Sequence, residues 1–284
     1  MQFRKILNKI TPVIVFAIAC VIFTVKAYAG ELPADEGGIQ GVKTVDLVLF
    51  VGQSNMSGFG GNAALAPAVP NDMGYEFRPL SDPSGLHPIV EPFGSMEGGY
   101  LSDPGSLRGG TMVSSFANAY YAATGVPIVA VSASRGGADS AFFASGPVKS
   151  ELLNKFVQTK SFLQMNHITV RRAFAVFLQG ETDALKGVKP AQYQANVLAA
   201  FSPLFVNGLQ RVYVITPGKA KGNIVNYDSI VQAQIDLCST DSRFTLASTM
   251  LRTMSEASLA DEVHYNQSAL NSVGSGAAGV AARY

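Results

Sequence analysis

An α/β fold is predicted, built on a parallel sheet of about five strands with helices over both faces. Short runs rich in β-branched and aromatic residues alternate with segments of helical periodicity along most of the chain. Each run is too short for a core helix and too continuously apolar for a half-exposed strand, so it reads as a strand buried on both sides. Strand followed by helix, repeated, requires crossover connections, and these lay helices on the two faces of a parallel sheet.

The elements follow in order. Residues 1–29 have a basic start (Arg4, Lys5, Lys9), an apolar run from Val13 to Val25 and a small-x-small Ala27-Tyr28-Ala29. This is the pattern of a secretory leader cut after Ala29, with export to the periplasm or medium, and the apolar run is short for a membrane span. Val45–Val51 is the first strand, and it stops abruptly at Gly52-Gln53-Ser54-Asn55. Residues 58–110 are rich in Gly, Pro, Asp and Ser with almost no periodicity; they are expected to form a long irregular insertion lying over the sheet edge near the site. A helix over Met112–Thr124 ends at Gly125, and Pro127–Val131 is the second strand. Lys149–Met165 (helix), Ala173–Leu178 (strand), Ala191–Phe201 (helix, with Pro190 suited to its first turn) and Arg211–Thr216 (strand) follow. Tyr227–Leu237 (helix), Phe244–Ala247 (strand) and Gln267–Ala282 (helix) close the chain. Residues 30–284 therefore read as one domain.

Composition excludes several classes of function. Removing 29 leader residues from 284 leaves 255, enough for one full core. The leader takes four of the 21 basic residues and no acidic ones, so the remainder carries 17 basic against 20 acidic residues, a net charge of −3. No basic run occurs, so nucleic acid is not an expected partner, and no stable membrane insertion is expected once the leader is removed. Cys20 departs with the leader, and Cys238 alone cannot form an intramolecular disulfide. One cysteine and three histidines (His87, His167, His264) without ligand spacing give no basis for a metal site.

Ligands of open parallel sheets bind beyond the carboxyl ends of the strands. Polar residues follow four of the five predicted strands there: Gly52-Gln53-Ser54-Asn55, Ser134-Arg135-Gly136-Gly137, Gln179-Gly180-Glu181-Thr182-Asp183 and Asp261-Glu262-Val263-His264. Together they suit acyl transfer. A serine hydroxyl needs an imidazole to take its proton, and the imidazole needs a carboxylate to fix its tautomer. Ser54, His264 and Asp261 fit those roles. The Ser54 N–H, an N–H at Gly136 or Gly137, and the Gln179 side-chain amide are candidate oxyanion donors. His87 and His167 have no carboxylate at useful spacing.

These blocks, in this order, resemble the SGNH hydrolases, and within them the branch of sialate O-acetylesterases and the acetylxylan esterases of carbohydrate esterase family six. The resemblance runs from about residue 44 to about 276. It implies a flavodoxin-like three-layer α/β/α sandwich and cofactor-free hydrolysis of acetyl esters on a carbohydrate, with Ser54 as nucleophile, His264 as base, Asp261 as its orienting partner and Gln179 in the oxyanion position. Gln53, Asn55, Arg135 and Glu181 would support the site or touch substrate. Phe177-Leu178 stand where many members carry an aromatic residue, often tryptophan, and Ala138-Asp139 where members often have Thr-Ser; both touch the pocket wall more than the chemistry. Arg135 and Glu181 offer two readings, an ion pair bracing the oxyanion loops or an arginine that meets a substrate carboxylate. A carbohydrate-binding protein on a decayed hydrolase fold would lack the nucleophile, base or a donor, and none is missing here. A lipid or aryl ester would keep the chemistry, but residues 58–110 are not greasy enough to favour a lipid site.

Overall fold

A computed structural model describes residues 42–284. The leader predicted for residues 1–29 lies outside the described residues. Seven strands form one sheet among them: β1 (Thr44–Gly52), β2 (Gly74–Arg78), β3 (Asp82–Pro88), β4 (Ile128–Ser134), β5 (Thr169–Leu178), β6 (Arg211–Ile215) and β7 (Phe244–Ser248), in the order β3-β2-β4-β1-β5-β6-β7. Every pairing is parallel except β2 with β3. The helices are α1 (Ser54–Ser57), α2 (Val113–Thr124), α3 (Ser140–Ala144), α4 (Gly146–Met165), α5 (Glu181–Leu185), α6 (Pro190–Val206), α7 (Asp228–Thr240) and α8 (Gln267–Ala281).

The central strand shows why its sequence is apolar throughout. Val45, Leu47, Leu49 and Val51 point to one side and pack with Leu152 and Phe156 of α4, Val197 and Phe201 of α6, and Ile230 of α7. Val48 and Phe50 point to the other, against Phe116 of α2 and Leu270 and Val273 of α8. Each such side chain, taken from water into the core, contributes roughly 1.5–3 kcal/mol. Two helical layers thus enclose the sheet, the three-layer sandwich the resemblance implied. Asp46 interrupts the run and is buried, but the Tyr120 hydroxyl donates to it at 2.7 Å and Arg171 pairs with it.

Residues 58–110 differ from expectation. They are not irregular throughout: β2 and β3 extend the sheet beyond β4, raising the strand number from about five to seven. Their sequences hide this. β2 is only Gly-Tyr-Glu-Phe-Arg, with a charged residue, Glu76, buried in its middle. β3 carries Pro83 and Pro88, which a strand tolerates at a sheet edge, where one side of its backbone needs no partner.

Register positions the site. Gly52 at the end of β1 lies opposite Ser134 at the end of β4 and Leu178 at the end of β5. The three following loops therefore leave the sheet side by side. A Cβ on Gly52 would stand 2.1 Å from the Leu178 carbonyl oxygen, so this close approach permits only glycine.

Candidate active site

Ser54 is the first residue of α1, directly beyond the close approach at Gly52, and is 7 % exposed. His264 arrives from the connection between β7 and α8. Its Nε2 lies 2.9 Å from Ser54 Oγ, and its Nδ1 lies 2.7 Å from Asp261 Oδ2. The second Asp261 oxygen accepts the N–H groups of Val263 and His264, both at 2.8 Å. With Asp261 accepting at Nδ1, the proton belongs there and the Nε2 lone pair faces the serine hydroxyl. Partial burial resists ionisation of Asp261, but the Val263 N–H and the His264 ring and N–H outweigh it and hold the carboxyl below its usual range. A short i,i+3 loop thus gives the imidazole both its carboxylate and its orientation. Phe59, from the segment after α1, packs on the ring with centroids 5.6 Å apart.

Asn55 fastens this loop to the serine. Its Nδ2 donates to Glu181 Oε1 at 2.8 Å and to the Val263 carbonyl at 3.2 Å, and its Oδ1 accepts the Tyr265 N–H at 3.0 Å. The residues on either side of His264 are therefore anchored to the residue after Ser54. Glu181 is buried; desolvation raises its carboxyl above the ordinary 4.5, against the lowering pull of the Asn55 bond and the His264 charge.

The expected oxyanion donors are only partly available. Gly136 donates its N–H to both oxygens of the buried Asp103, at 3.0 Å each. Gly137, in the left-handed region at φ +70°, lines the cleft, and its N–H has no protein partner among the described residues. The Gln179 side chain is not presented to the cleft. It is fully buried, and its Nε2 donates to Asp183 and to the Ala138 carbonyl at 3.2 Å. With its amide already engaged by a carboxylate and a carbonyl inside the protein, Gln179 becomes a tie between the β4 and β5 loops. Asp183 reinforces that tie by accepting the Ser140 N–H at 2.9 Å and its hydroxyl.

Gln53 has the complementary arrangement. Its Oε1 accepts the N–H groups of Gly180 and Thr182 at 3.3 Å, while its Nε2 has no protein partner among the described residues and the residue lines the cleft.

Arg135 and Glu181 do not pair. Arg135 donates to the Ser102 carbonyl at 2.6 Å, and its Nε stands 3.7 Å from Asp103, while Glu181 turns to Asn55. Asp103 also accepts from Ser57 Oγ at 2.7 Å, joining α1 to the β4 loop. Sequence reading missed Asp103 because it lies in the aperiodic segment, with no motif around it. Asp183 and Asn55 were visible inside the motif blocks but gave no sign of their partners.

The cleft over Ser54 and His264 has a volume of about 470 Å³, within the range of small-molecule sites. The profile of the carbohydrate esterase, sialic acid-specific acetylesterase family matches residues 44–283. No curated protein matches the chain. Among solved structures, a protein from Arabidopsis thaliana superposes with a TM-score of 0.59 at 17% identity, covering 84% of this chain and 97% of its own. NanS superposes with a TM-score of 0.57 at 14% identity, covering 85% of this chain and 97% of its own. These two share the fold, and the family match bears out the resemblance carried by the four motif blocks. The chain is a carboxylic ester hydrolase and belongs to the carbohydrate esterase family of sialic acid-specific acetylesterases.

Proposed function

We propose that this protein is an exported serine esterase that removes O-acetyl groups from a carbohydrate. The observation that carries the reading is the chain from Ser54 Oγ through His264 to Asp261, at 2.9 and 2.7 Å. Ser54 attacks the acetyl carbonyl while His264 Nε2 takes its proton, and Asp261 stabilises the imidazolium. The Ser54 and Gly137 N–H groups and the Gln53 amide meet the oxyanion. The imidazolium returns its proton to the leaving sugar oxygen, which leaves acetyl on Ser54. A water, deprotonated by His264, then attacks the acetyl-enzyme and releases acetate and free Ser54.

Ser54→Ala should abolish acetate release from p-nitrophenyl acetate. Mass spectrometry of acid-quenched wild-type protein should find one acetyl group on the peptide containing Ser54. Undiminished turnover in Ser54→Ala would sink the mechanism. Export rests on the leader pattern of residues 1–29; N-terminal sequencing of protein recovered from the periplasm or medium should begin at Gly30.

A further inference from the structure

The cleft wall bears on which acetylated sugars can enter. Beside the reacting groups it is formed by Phe59, Leu185, Ile224, Val225, Tyr227 and Val263, with Leu185 and Ile224 69% and 64% exposed at its rim. Among the described residues, no lysine or arginine lines it. Three cations carried by adjoining loops are engaged elsewhere. Arg135 is held by the Ser102 carbonyl and Asp103, Lys186 pairs with Asp139 at 2.6 Å, and Lys219 lines a separate cavity with Met254 and Leu259. Lys221, three residues before Ile224, has no ion pair among the described residues but does not line the cleft. The acidic groups are closer: Glu181 lines the cleft, and Asp261 stands behind His264.

A carboxylate that enters such a cleft loses water against apolar side chains and gains no cation in exchange, which is unfavourable unless the charge is paired. An uncharged sugar ring meets no such penalty and can rest its C–H face on the same apolar wall.

We propose that this cleft selects uncharged O-acetyl sugars and discriminates against sugar acids with a free carboxylate, so that this chain departs from the sialic acid preference in its family's description. The inference rests on the esterase reading above. Acetate release would be measured for purified protein on an acetylated methyl xyloside, an O-acetyl sialic acid and the carboxyl methyl ester of that sialic acid. p-Nitrophenyl acetate serves as the common baseline. The methyl ester should exceed the free acid in kcat/KM by about tenfold or more, since esterification removes the charge to be desolvated. Ile224→Arg, which brings a cation to the rim, should narrow that ratio severalfold.

A free acid turned over as well as or better than its methyl ester overturns the proposal. Such a preference, if lost in Lys221→Ala, would identify Lys221 as the cation that overturns it. No turnover of p-nitrophenyl acetate would instead count against the esterase reading itself, so the two failures are distinguishable.

Discussion

Replacing Asn55 by alanine removes the fastening between the serine and the histidine loop without touching either side chain. Three hydrogen bonds are lost, to Glu181, to the Val263 carbonyl and from the Tyr265 N–H. Each buried bond contributes about 1 kcal/mol net, and each abandoned partner adds a desolvation cost. Glu181 Oε2 already has no partner among the described residues, so the loss of Asn55 would leave both oxygens of a buried carboxyl unbonded there. A destabilisation of about 3 kcal/mol follows, a large part of a typical total of about 5–15 kcal/mol. The effect on catalysis is separate. His264 keeps Asp261 but loses the anchors of its neighbours Val263 and Tyr265, and a shift of about 1 Å costs about 10² in rate. The assay is steady-state hydrolysis of p-nitrophenyl acetate below the variant's melting temperature, with circular dichroism to confirm folding. The loss should fall on kcat, with KM nearly unchanged, because Asn55 does not line the cleft. Asn55→Asp, which keeps an acceptor for Tyr265 but loses both donated bonds, should stay well below wild type. A folded Asn55→Ala variant whose kcat stays within about threefold of wild type would refute the reasoning.

Two further predictions concern the oxyanion and pH. Gln53→Ala should lower kcat by about 10²–10³, as the loss of an oxyanion donor does. Gln179→Ala should act chiefly through stability, lowering Tm while a folded fraction retains kcat; the reverse pattern in this pair would restore Gln179 to the oxyanion position. Glu181→Gln keeps an acceptor for Asn55 and mimics the protonated acid. Burial raises the folded-state pKa of Glu181 above 4.5, so its contribution to stability is fully present below that pH and is lost as pH rises through the folded value. The Tm of Glu181→Gln should therefore gain on wild type as pH increases from about 4 to about 8, and a difference that is flat or of opposite slope contradicts this.

Much of the architecture was legible because both faces of the sheet are covered. A strand such as β1, buried on two sides, must be apolar at nearly every position, and that leaves a mark a single sequence can carry. β2 and β3 leave no such mark. β2 keeps Glu76 buried through Arg78 and the Gly94 N–H, and β3 has one neighbouring strand among the described residues. Their pairing depends on contacts distant in the chain, such as Gly74 opposite Ile128, which local pattern does not encode. The proximity of Ser54, His264 and Asp261 was legible for a related reason. Strand ends in a parallel sheet converge by register, and the carboxylate is only three residues from its histidine.

The oxyanion donors show where such legibility ends. The motifs supply two glycines after β4 with nothing to separate them, and they put forward Gln179 after β5, not Gln53 after β1, as the amide donor. Buried aspartates separate the candidates. Asp103 draws off the Gly136 N–H, and Asp183 draws off the Gln179 amide. A buried carboxylate that already holds a donor in the folded protein commits that donor before substrate arrives. Gly137 and Gln53 remain uncommitted, and they are the members that line the cleft. The aspartates thereby also fix the loops that carry the free donors: Asp103 links Ser57 to Gly136, and Asp183 links Ser140 to Gln179. If this division of labour is correct, Asp103→Asn, which weakens the hold on Gly136, should reduce kcat through misplacement of Gly137. The reduction should be smaller than that of Gln53→Ala, because the Gly137 N–H remains present. An Asp103→Asn variant that is folded and fully active would show that Gly137 needs no such support.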